Sequence, residues 1–146
     1  DNQKVFVRGT GSFKNQKLQG IKAIDEFQLL DPRDIQYKLN DLKNLEEGWF
    51  ENKGKVPSIN GLTKLSELFD AYYTEDGNLP YIYPTPDGNL ELEWTTADAE
   101  LILGIDIDSM FGDLLVIRDN DESSYDLDLG DSSDWKRLND VIRGVY

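Results

Sequence analysis

The chain contains no cysteine and no histidine, and only one methionine. Without cysteine there are no disulfides, thiolate zinc sites, iron–sulfur clusters or cysteine nucleophiles. Without histidine it lacks the commonest general base and the commonest transition-metal ligand, so a Ser–His–Asp triad is impossible. A small secreted scaffold usually needs staples, so the expected location is a reducing cytoplasm. No apolar run approaches the ~18 residues that a membrane helix needs, and no signal peptide is recognisable. A start at Asp1 rather than Met is read as processing, trimming or a piece of a longer chain.

Positive charge is scarce as well, and unevenly so. Fifteen Lys and Arg face twenty-nine Asp and Glu, for a net charge of −14. Residues 96–146 hold thirteen acids and four bases, residues 56–95 seven acids and one base, and residues 1–55 are close to neutral at +1. A chain this acidic repels phosphate, and no basic patch with interleaved aromatics is present, so direct nucleic-acid binding is not expected. Charge concentrated on one part of a fold points to a partner of opposite sign.

What is present suits one globular domain. A chain of 146 residues buries roughly two-thirds of its unfolded surface, and sixteen aromatic residues supply bulk for a core. The expected domain is 1–146, with an N-terminal hairpin over 1–31 as the one separable piece. Val5 to Arg8 reads as a strand, Lys14 to Lys17 as a turn, and Leu18 to Leu30 as a returning strand, with Ile21, Ala23 and Phe27 on one parity and a bulge at Gly20. Asp31-Pro32-Arg33-Asp34 reads as a helix start. Ile35, Leu39, Leu42 and Leu45 continue at helical spacing up to Gly48. Ser58 opens a second helix whose apolar stripe is Ile59, Leu62, Leu65, Phe69 and Tyr72.

The second half alternates. Tyr81–Tyr83 is a short strand, and Asp87-Gly88 marks a hairpin turn. Leu90, Leu92 and Trp94 oppose Glu91 and Glu93. In the next run Leu101, Leu103, Ile105 and Ile107 oppose Glu100, Ile102, Gly104, Asp106 and Asp108. A turn is expected over Ser109–Asp113, then a strand at Leu114–Ile117. Tyr125, Leu127 and Leu129 oppose Asp126 and Asp128 within the acidic stretch 119–134, which is also a candidate for mobility. Ser132 or Ser133 caps a closing helix carrying Trp135, Leu138, Val141 and Ile142. The fold class is therefore α+β: an antiparallel β-meander with two middle helices and a C-terminal helix packed on one face, plus an N-terminal β-hairpin.

The candidate site follows from this parity. Residues two apart on a strand share a face at roughly 6.5–7 Å. Glu91 with Glu93, Asp106 with Asp108, and Asp126 with Asp128 thus form three outward pairs on adjacent strands. Like charges crowded on one sheet face are unfavourable unless solvated or matched by a partner. Other motifs fail on inspection. Asp119–Gly130 begins like an EF-hand loop, but Ser124 stands at the glycine position and Gly130 at that of the bidentate glutamate. Gly9-Thr10-Gly11 lacks the third glycine and the helix of a dinucleotide loop. Ser133-Asp134-Trp135-Lys136 matches Ser-x-x-Lys without its companion motifs. No cofactor or metal is expected. Trp49, Phe50, Tyr81 and Tyr83 are expected to lock a helix onto the sheet.

Some of these residues also carry a resemblance. Leu42 to Trp49, Gly54, Pro57, Leu79-Pro80, Tyr83 to Gly88 and Leu92-Glu93-Trp94 occur in an order that resembles a family of small uncharacterised bacterial proteins with Gly-Trp, Pro-Thr-Pro-x-Gly and Glu-Trp motifs. Asn89 stands where that family has a second glycine. The resemblance covers about residues 38–108 and implies a bacterial origin but no activity.

The functional expectation is an acidic, non-enzymatic interaction protein that docks a basic protein partner, as an antitoxin, immunity protein or nucleic-acid mimic does. The alternatives are a carboxylate-based, metal-assisted hydrolase and a structural domain of a larger assembly.

Overall fold

The computed structural model describes residues 5–29, 31 and 33–146; Leu30 and Pro32, invoked above for the strand end and the helix start, lie outside them. The chain divides into two compact units, Asp1–Asp34 and Ile35–Tyr146.

The first unit is an antiparallel hairpin of β1 (Val5–Lys14) and β2 (Lys17–Leu29), turning at Asn15-Gln16 with both residues at positive φ. Its register corrects the sequence reading. Ile21 pairs with Gly11 but Ala23 pairs with Thr10, so Ile21 and Ala23 fall on opposite faces. Three register shifts, after Arg8, Thr10 and Ser12, place thirteen residues of β2 against ten of β1. Each shift absorbs one extra residue, so Leu18, Ile21 and Ile24, spaced three apart, oppose Phe13, Gly11 and Gly9, spaced two apart. Bulges have turned a three-residue period into a one-faced apolar row. Gly9 permits the approach: a Cβ there would sit 2.0 Å from the Ala23 carbonyl oxygen.

The second unit is α+β. Helices α1 (Ile35–Leu42) and α2 (Ile59–Tyr72) precede a five-stranded antiparallel meander, and α3 (Ser132–Arg143) closes it. The strands are β3 (Tyr81–Pro84), β4 (Leu90–Thr95), β5 (Glu100–Ile105), β6 (Phe111–Arg118) and β7 (Asp121–Asp128), in that spatial order. The stretch 119–134 is therefore not a loose segment; it forms β7 and the first turn of α3. Helix α1 starts at Ile35; ahead of it the Asp31 carboxylate accepts from the Arg33 amide and guanidinium, and the Asp31 carbonyl accepts from Asp34 N. The N-cap of α2 is Ser58, whose Oγ accepts from Gly61 N at 3.1 Å. The cap of α3 is Asp131, not a serine; it accepts from Ser133 N at 2.8 Å.

All three helices pack on one side of the meander. The buried rows run across the sheet as Ile82, Leu92, Leu103, Leu114 and as Leu90, Ile105, Gly112, Leu127. Against them lie Leu39 of α1, Leu62, Leu65 and Phe69 of α2, and Trp135, Leu138 and Ile142 of α3. Phe69 meets Trp135 edge-on at 4.9 Å. The ends of the expected α2 stripe leave this core, with Ile59 and Tyr72 exposed.

The buried polar groups are matched. Trp94 Nε1 donates to Tyr73 Oη and to the Asn78 carbonyl, Trp135 Nε1 donates to the Leu129 carbonyl, and Asn139 bridges the Tyr72 carbonyl and Thr74 N at the end of α2. Burial, the dominant cause, raises the Tyr73 phenol well above its ordinary range.

The Gly-Trp and Pro-Thr-Pro-x-Gly segments meet in one loop contact. Gly48 N bonds the Gly54 carbonyl, Trp49 Nε1 the Lys55 carbonyl, and Lys55 N the Pro86 carbonyl. Gly48 and Gly88 hold φ of +82° and +88°, which favours glycine at both turns. Trp49 is half-buried here, whereas Phe50, Tyr81 and Tyr83 are exposed, so this aromatic set does not lock a helix onto the sheet.

Candidate functional site: the open face of the meander

The face opposite the helices is built by three cross-strand rows. One runs Tyr83, Glu91, Gly104, Asp113, Asp126; the next Tyr81, Glu93, Ile102, Leu115, Ser124; the third Thr95, Glu100, Ile117, Glu122. Six of these residues are carboxylates, and among the described residues of the three rows none is Lys or Arg. Ile102, Leu115 and Ile117 form a half-buried strip at the centre. Tyr81 and Tyr83 stack at 6.5 Å along the edge strand.

Four of the six residues expected to form this face are on it: Glu91, Glu93 and Asp126 in these rows, and Asp128, which shares the parity of Asp126 and pairs with Phe111 where β6 begins and β7 ends. Strand β5 ends at Ile105, and Asp106 and Asp108 lie in the turn beyond it. Asp106 accepts from Ser109 N at 2.9 Å and from Asp108 N at 3.1 Å, closing the β5–β6 turn. Those donors, Ser109 foremost, hold its carboxyl below the ordinary range. Asp108 accepts from Ser58 Oγ at 2.7 Å and so ties this turn to the start of α2. Asp128, half-buried at the end of β7, accepts from Gly130 N at 2.9 Å. The alternation continued past the strand because Ile107 is still buried, although the backbone has already turned.

Two carboxylates of the rows are not assigned to this face by the sequence: Asp113, which falls in the expected turn, and Glu122, which precedes the expected last strand. Strand β6 begins at Phe111, and Gly112, Leu114 and Val116 are buried while Asp113 is exposed. That alternation was the available signal; Gly112 hid it by carrying no apolar side chain. Asp113 lies directly opposite Asp126, a like-charge pair that opposes folding unless solvated or neutralised.

Between Glu91 and Asp113 lies Gly104, where a Cβ would meet nothing within 4 Å. A shallow depression of about 720 Å³ opens there, with Glu91, Asp106, Asp113 and Asp126 on its walls and Phe111 at its end. A second depression, about 530 Å³, lies around Glu47, Lys55, Ser58, Asp87 and Asp108 and shares Asp87, Asn89 and Asp106 with the first.

The Glu93 carboxyl is raised above its ordinary value, first by partial burial, then by a hydrogen bond with Glu91 and the charges of Glu91 and Glu100. The Tyr83 phenol is raised by partial burial and by Glu93, Tyr81 and Glu91. The face thus resists adding negative charge. Among the described residues, no three carboxylates form a group that would hold a metal ion, and no helix is long and apolar enough to cross a membrane.

Comparisons with protein-family models, with curated proteins and with solved structures find no match to this chain.

Proposed function

We propose that this chain is a non-enzymatic interaction protein whose open meander face docks a basic protein surface, in the manner of an antitoxin, an immunity protein or a nucleic-acid mimic. The observation that carries this reading is the composition of the three rows. A strip of aliphatic side chains is bordered by six carboxylates without a cation, on the one sheet face that no helix of its unit covers. An aliphatic centre rewards contact, and a charged border selects the sign of the partner and speeds encounter.

Poly-L-lysine is the probe. The wild-type chain binds it with a steep salt dependence. Reversing Glu91, Glu93, Asp113 and Asp126 to Lys weakens binding about tenfold or more. An equal reversal at exposed sites off this face, Glu46, Glu67, Asp70 and Asp98, has a much smaller effect. Equal loss in both variants would mean that net charge alone acts, and the reading would fall.

A further inference from the structure

The hairpin unit presents the complement of this surface. Phe13, Leu18, Ile21 and Ile24, gathered on one side by the three bulges, are 68%, 53%, 52% and 57% exposed. An isolated two-stranded hairpin is at best marginally stable in water, so an open apolar row along one calls for a cover. Its charge has the opposite sign to that of the meander. Within Val5–Leu29, four basic residues, Arg8, Lys14, Lys17 and Lys22, stand against two acids; Lys14 pairs with Lys17 at the tip, one register step past Phe13 and so on the other side from the apolar row, where only the length of the side chains lets them reach around the end. Residues 35–146 carry nine bases against twenty-four acids.

We propose that the open meander face receives the β1–β2 hairpin of a second copy of this chain. This rests on the docking reading above and names its partner. The aliphatic row of the hairpin would lie over Ile102, Leu115 and Ile117 as the second layer of a sandwich, at the ~10 Å spacing of stacked sheets. A ten-residue strand spans ~33 Å and five strands ~24 Å across, so the hairpin is long enough to cross the whole face with its lysine tip reaching the carboxylate border. Hairpin and face are different surfaces, so the contact is heterologous, and two copies close it by giving a hairpin each.

The test uses full-length chains in sedimentation equilibrium. Wild type at low salt is expected at twice 16.7 kDa or more, and to dissociate as salt rises. Ile21→Glu on the hairpin and the Glu91/Glu93/Asp113/Asp126→Lys set on the face should each give monomers. Mixing these two variants should restore a heterodimer, because one still offers an intact face and the other an intact hairpin. A wild type that stays monomeric, or a mixture that fails to associate, overturns the proposal; in the second case an assembly sensitive only to Ile21→Glu would be hairpin on hairpin. Poly-L-lysine separates the two readings. A monomeric chain that still holds the polymer through its open face keeps the docking reading and loses this one, whereas a chain that does neither loses both.

Discussion

The hairpin and the meander use the same device, an apolar row and a polar row on opposite faces of antiparallel strands, with different outcomes. In the meander, Leu92, Leu103 and Leu114 lie under three helices and are essentially inaccessible. In the hairpin, Ile21 and Ile24 occupy equivalent register positions and remain more than half exposed. Strand patterning decides which side chains share a face; stabilisation comes only when a second layer removes that face from water. The meander has one covered face and one open face, and the open one collects the carboxylates. Among the described side chains of the hairpin none is buried.

Leu103→Ala should separate the two regions most strongly. It empties a fully buried site at the centre of the sheet and should cost about 2–5 kcal/mol in urea unfolding. Asn139→Ala should follow, at about 1–3 kcal/mol, because the Tyr72 carbonyl and Thr74 N both lose their side-chain partner. Ile24→Ala in the dilute chain should change the unfolding midpoint of the meander by no more than about 0.5 kcal/mol. A large loss there would show that the hairpin row is already covered in the single chain.

The open face and the carboxylates that hold turns and a cap should also separate by pH. Glu93 has a raised carboxyl, so its favourable contribution is present in acid and lost as pH rises through its folded value. Asp87, Asp106 and Asp131 have lowered carboxyls, each accepting from hydroxyl, amide or backbone donors; their contribution is present above the ordinary carboxylate range and lost as pH falls through the folded values. Glu93→Gln should therefore leave acid stability unchanged and improve neutral stability slightly, within about 0.5 kcal/mol. Asp106→Asn should instead flatten the acid-side loss of stability. Unfolding curves at pH 3 and pH 7 read both effects, and identical pH profiles for the two variants would contradict the assignment.

Much of the meander was legible in the sequence, because β4 and β5 alternate between large aliphatic and acidic residues and Asp87-Gly88 marks the turn between β3 and β4. Ser58 was legible as a cap for the same reason: its side chain acts locally. The errors share a physical cause. Alternation does not show where a strand stops: Asp106 and Asp108 read as strand residues but lie in the β5–β6 turn, where Asp106 still edges the depression on the open face and Asp108 bonds Ser58 instead. A glycine at a buried position conceals parity, so β6 began too late and Asp113 was lost. Gly20 marked the bulge beside it, but the other two fall where β2 has no glycine, and a strict two-residue period there put Ala23 beside Ile21. Asp131 was passed over because three hydroxyl or carboxyl residues in succession can all cap, and the backbone decides among them.

The direct test of the open face as a docking surface is the ionisation of Glu93, followed by carboxyl ¹³C NMR in dilute protein with and without saturating poly-L-lysine. A raised midpoint is expected in the free chain, and a shift back toward or below the ordinary glutamate range when cationic groups cover the face. A bound polymer that leaves the Glu93 titration unmoved would place the contact elsewhere, and the open face would not be the docking surface.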